Sequence, residues 1–67
     1  MKMFVLIQLR GGYPLDVTVI KAETAEEAAK QHRFSILSKR EIEDLPTRYF
    51  LGSRGHDEWY LFEDGEV

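Results

Sequence analysis

VTVIKAETAEEAAKQH, residues 17–32, changes its period in the middle. Val17 to Ala22 is rich in β-branched residues and reads as a strand. From Ala25 onward the apolar positions become 25, 28, 29 and 32, which is the i, i+3, i+4, i+7 spacing of one helix face. Between them, Thr24-Ala25-Glu26-Glu27 has the form of a capping box. The Thr24 hydroxyl accepts from the Glu27 amide, and the Glu27 carboxylate reaches back to the Thr24 amide. Ala25, Ala28 and Ala29 let the helix lie close to a sheet, and His32 completes the same buried side. Arg33 falls in the last turn, where a cation favours the helix dipole. The segment therefore predicts a strand passing directly into a helix over Ala25–Arg33.

The residues before it supply a partner for that strand. Lys2–Arg10 alternates, with Met3, Val5, Ile7 and Leu9 on one face and Phe4, Leu6, Gln8 and Arg10 on the other. Both faces are apolar in the first half, which predicts a strand covered on both sides there. Gly11-Gly12-Tyr13-Pro14 is a turn. Pairing Leu9 with Leu15 sets Ile7 opposite Val17, Val5 opposite Val19, Leu6 opposite Thr18 and Phe4 opposite Ile20. A slip of one residue would mix the faces. This register implies a five-residue loop.

Downstream, Phe34–Leu37 either extends the helix or crosses the core as an extended link. Ser38-Lys39-Arg40-Glu41 is a second capping box, flanked by a Leu37/Ile42 staple. It predicts a short second helix that stops before Pro46, with Ile42 and Leu45 facing the core. Thr47–Leu51 and Glu58–Glu63 form a second hairpin around residues 52–57, and Asp64–Val67 reads as a frayed tail. The predicted fold class is α+β in ββααββ order. It comprises an antiparallel sheet of three to four strands, one main helix on one face and a second short helix. In the three-stranded version Thr47–Leu51 is irregular.

With 67 residues the chain makes one domain, 1–67, with a thin core. It has no cysteine, so disulfides and thiolate zinc sites are excluded; a reducing cytoplasm suits such a chain. The longest apolar run, Met3–Ile7, is too short to span a bilayer. The net charge of −3 is uneven: residues 30–54 carry six basic and three acidic groups, and residues 55–67 carry five acidic and no basic ones. That balance does not suit a general nucleic-acid binder.

No coherent catalytic set emerges. His32 reads as a boundary residue over the sheet. His56-Asp57-Glu58 lacks a second histidine or cysteine to complete a metal site. Gly11-Gly12 is followed by no helix and no Lys-Ser/Thr pair, so it is not a phosphate loop. The paired acids are accounted for by capping and solvent exposure. The expectation is a non-enzymatic protein with no cofactor and no metal. The aromatic hairpin is the distinctive feature. Tyr49, Phe50, Trp59, Tyr60 and Phe62, with Arg48 and Arg54, form the candidate interaction surface. Alternation divides them: either Tyr49 and Trp59 point in while Phe50, Tyr60 and Phe62 point out, or the reverse. One reading makes them core, another a contact surface for protein. A third, with Lys30, Arg33, Lys39 and Arg40 added, makes them a stacking platform for single-stranded nucleic acid.

The segment VIKAETAEEAAKQ resembles a recurrent piece of small β-hairpin–helix–strand proteins, many of them encoded by phages or bacterial mobile elements. Members of that group bind and inhibit host enzymes such as RNA polymerase or CRISPR effector complexes. The resemblance covers about a fifth of the chain and transfers no functional residue. It implies a small protein-interaction domain, a regulator or inhibitor of a host protein, with a protein partner or self-association. The alternative expectation is a single-stranded nucleic-acid-binding domain.

Overall fold

The computed structural model describes residues 1–66, with the backbone alone at Glu66; Val67 lies outside the described residues. The elements are β1 (Lys2–Arg10), β2 (Tyr13–Ala22), α1 (Ala25–Gln31), β3 (Ser38–Arg40), β4 (Arg48–Arg54) and β5 (Asp57–Glu66). All five strands join one antiparallel sheet in the order β2-β1-β5-β4-β3. Strand is thus the dominant structure, and the single helix has only seven residues. The expected sheet of three to four strands with two helices is not formed.

The second helix is lost for a physical reason. A helix confined between Ser38 and Pro46 would be no longer than α1 and would lack the alanine face by which α1 packs closely on the sheet, so little would offset its nucleation cost. The outer edge of β4 meanwhile offers unpaired backbone groups. Ser38, Lys39 and Arg40 pair with Phe50, Tyr49 and Arg48 instead, and the Leu37 amide donates to the Phe50 carbonyl at 2.8 Å. Residues 41–47 form a turn with Asp44 at φ 66°. Ile42 and Leu45 remain exposed rather than entering the core.

The first hairpin keeps the expected register from Phe4↔Ile20 to Gln8↔Asp16, then shifts, so that Leu9 meets Pro14 and Arg10 meets Tyr13. Leu15 is the extra residue. The loop shrinks from five residues to Gly11-Gly12, both at positive φ (57° and 85°), as a two-residue turn matched to the strand twist requires. The second hairpin is likewise longer than expected. Its loop is only Gly55-His56, and Gly55 is at φ 62°. Asp64 to Glu66 continue β5 instead of fraying.

The helix packs on one face of the sheet. Ala25, Ala28 and Ala29 are buried there against Phe4, Leu6, Ile20, Ala22, Tyr49, Leu51 and Leu61, with Phe34, Ile36 and Trp59 around them. Leu61 and Ala28 are fully covered. Thr24 accepts from the Glu27 amide at 3.2 Å, as the capping box predicts, while the Glu27 carboxylate reaches the Glu23 amide rather than that of Thr24. The helix ends two residues earlier than expected. His32 is its exposed C-cap, not a buried position. Arg33 takes the left-handed conformation at φ 63°, and the Phe34 amide closes back on the Ala29 carbonyl at 3.0 Å.

Candidate functional site

With one helix placed on one face, the other face of the sheet has no covering layer among the described residues. The opposite faces of β1 and β2 show the difference. Phe4, Leu6 and Ile20 are buried under the helix, whereas their neighbours Val5 and Ile7 are only half-buried, and Val17 and Val19 are 55% and 60% exposed. The expectation that β1 is covered on both sides therefore fails. Its even face is core, and its odd face is open.

The aromatic hairpin is divided by the same alternation. Tyr49 lies under the helix side and is buried, and Trp59 packs on Phe34 with ring centroids 5.6 Å apart. Phe50, Tyr60 and Phe62 line up on the open face. Their rings sit 5.4 Å (Phe50–Tyr60) and 6.5 Å (Tyr60–Phe62) apart. The Arg48 guanidinium stands 5.7 Å from the Tyr60 ring centroid, a cation–π distance. Of the seven candidate interaction residues, four (Arg48, Phe50, Tyr60, Phe62) thus share the open face. Tyr49, Trp59 and Arg54 do not join them. Arg54 pairs across from Asp57 near the hairpin tip.

Three further residues complete this face. Ser38 and Arg40 arrive on β3, and Glu58 on β5; with Arg48, Phe50 and Tyr60 they line a groove of about 270 Å³. Beside it, Ile42, Leu45, Pro46 and Phe62, together with the same Arg40 and Arg48, line a second groove of about 170 Å³. The Tyr60 hydroxyl donates to Glu58 Oε2 at 2.9 Å. That bond, then burial, raises the Tyr60 phenol above its ordinary range. Arg40 and Arg48 are direct cross-strand partners, and among the described residues neither makes an ion pair. Like charges set opposite each other on a sheet repel. The sequence clue to this face was the apolar odd side of β1. Only the β1–β5 and β3–β4 pairings join it to Glu58 and Arg40.

The other sequence candidates scatter. His56 sits in the hairpin turn, where its carbonyl accepts from the Gly11 amide at 3.0 Å. Asp57 turns to the helix side, where Arg10 donates to it at 2.7 and 3.0 Å and Gln8 at 3.2 Å. Glu58 turns to the open face. Adjacent strand residues point apart, so the His56-Asp57-Glu58 triplet does not converge. No group of three or more metal-ligating side chains gathers among the described residues. The basic residues of the nucleic-acid reading also separate. Lys39 turns towards Tyr49, with its ammonium 6.0 Å from that ring, while Arg40 faces the opposite side. Lys30 and Arg33 belong to the helix and its cap. No helix is long and apolar enough to cross a membrane among the described residues. No protein-family model matches the chain, and no curated protein or solved structure matches it either.

Proposed function

We propose that the chain is a small non-enzymatic protein-interaction domain whose binding surface is the open face of the sheet. The single observation that carries this is an apolar sheet face, running from Val17 and Val19 through Val5 and Ile7 to Tyr60 and Phe62, with no layer over it among the described residues. Contiguous exposed apolar surface, when large, marks interaction sites in soluble proteins. Its composition also fits an interface core, with aromatic residues and arginine enriched and lysine sparse. The resemblance of VIKAETAEEAAKQ to mobile-element proteins supports a regulator or inhibitor that works by occupying another protein. The cysteine-free composition supports a cytoplasmic setting. For single-stranded nucleic acid, Arg48 and the aromatic row speak in favour and the separation of the six basic residues speaks against.

The test is a comparison of tagged wild type with Val17→Lys and Phe62→Lys as baits. Wild type is expected to retain a protein, either itself or another, that both variants lose while keeping the wild-type circular-dichroism spectrum. Equal retention by all three, or no protein bound to wild type at high load, counts against the reading.

A further inference from the structure

We propose that the groove on the helix side of the sheet, between Asp16 and Trp59, binds a guanidinium group of the kind an arginine side chain presents. This site lies on the face opposite the open one and is independent of the role assigned to that face.

The groove follows from where the helix stops. On the helix side, Asp16, Gln8 and Trp59 are direct cross-strand partners on β2, β1 and β5. The helix ends at Gln31. The chain then turns at Arg33 and sets Phe34 against the Trp59 ring. His32 and Phe34 border the row instead of filling it. With Leu6 and Thr18 from the next row, these residues line a groove of about 230 Å³. Sites for drug-sized ligands begin at roughly 300 Å³, so this one takes a single side chain or a ligand of that size.

The groove offers acceptors. Asp16 makes no hydrogen bond or ion pair among the described residues. Gln8 donates through Nε2 to Asp57 at 3.2 Å. A carboxylate only accepts, so this bond fixes the amide and leaves the Gln8 carbonyl oxygen for a ligand. Asp57 itself is held by Arg10. Thr18 adds a hydroxyl oxygen. No lysine or arginine lines the groove, and its one base is His32.

A guanidinium answers this set better than an ammonium. Its five N–H donors lie in one plane. One edge can take both Asp16 oxygens while the flat face stacks on an aromatic ring. Trp59 is the best ring for a cation, and Phe34 stands beside it with centroids 5.6 Å apart. Asp16 and Trp59 are two strands apart, about 10 Å between backbones, which leaves room for a planar cation between them. An anion would be repelled by the carboxylate and by the ring faces. A neutral ligand would leave the Asp16 charge unanswered.

Trp59 is the only tryptophan in the chain, so its fluorescence reports occupancy of the groove. The probes are arginine blocked at both ends, as the N-acetyl N-methylamide, and the lysine and citrulline equivalents. Citrulline keeps the length and planarity of arginine without the charge. The arginine probe is expected to change Trp59 emission with a dissociation constant on the order of 1 mM. The lysine probe should bind severalfold more weakly, and the citrulline probe about tenfold or more weakly. Asp16→Asn, with an unchanged circular-dichroism spectrum, should lose about tenfold in affinity for the arginine probe. Glu43→Gln removes the same charge outside the groove and should bind like wild type. Emission unmoved at concentrations about tenfold above the expected constant overturns the proposal. So does a lysine or citrulline probe that matches arginine, or an Asp16→Asn variant that binds no worse than Glu43→Gln. The three probes on wild type decide the matter even if Asp16→Asn does not fold.

Discussion

Asp57 shows how a single side chain ties the two chain halves together. It opens β5 and accepts a forked pair of bonds from Arg10 at the end of β1. Its hydrogen bond from Arg10 holds the carboxyl below the usual aspartate range, against the opposing effect of burial. A carboxyl depressed in the folded state contributes stability above its unfolded value, and that contribution is lost as pH falls through the folded value. Asp57→Asn is therefore expected to be less stable than wild type near neutral pH. The gap should narrow as pH drops below about 4, where the unfolded-state carboxyl is protonated. Urea titrations at a series of pH values would show this; a gap independent of pH would mean that the charge is immaterial. The sequence showed Asp57 only as part of an adjacent triplet. Its true partner is forty-seven positions away along the chain.

The helix is the element most fully legible in the sequence, and its end is where that legibility stops. Thr24 and the alanine face are legible because capping and spacing are local. The finish, expected at Arg33, is not. Arg33 sits in the left-handed position of a Schellman turn, with its own amide bonded to the Lys30 carbonyl at 3.0 Å and that of Phe34 to Ala29. No glycine advertised that stop. The turn is fixed instead by Phe34 packing on Trp59. Arg33→Gly should stabilise the protein by about 1 kcal/mol, because it relieves the left-handed penalty by more than it adds to unfolded-chain entropy. Chemical denaturation measures the difference, and a destabilised variant would show that the arginine side chain contributes to the fold.

For the molecule as a whole, the decisive pairing is β1 with β5, which joins the chain ends and puts β5 in the middle of the sheet. Leu61 lies on β5, fully covered, across from Leu6 on one side and Tyr49 on the other. Leu61→Ala should cost about 2–5 kcal/mol. That is a large part of what a domain of this size can hold, so a thermal melt should show a markedly lower midpoint or no cooperative transition. A loss below about 1 kcal/mol would imply that the core readily collapses around the gap. The chain by itself determined the two hairpins, most of the first register, the helix start and the split of the aromatics between faces. All of these depend on periodicity or on contacts between near neighbours. The tertiary structure alone decided that Ser38–Arg40 becomes an edge strand, that β1 and β5 meet, and that one apolar face stays open. Those outcomes depend on backbone groups left unpaired by distant strands and on a single helix among the described residues, which can cover only one face of the sheet.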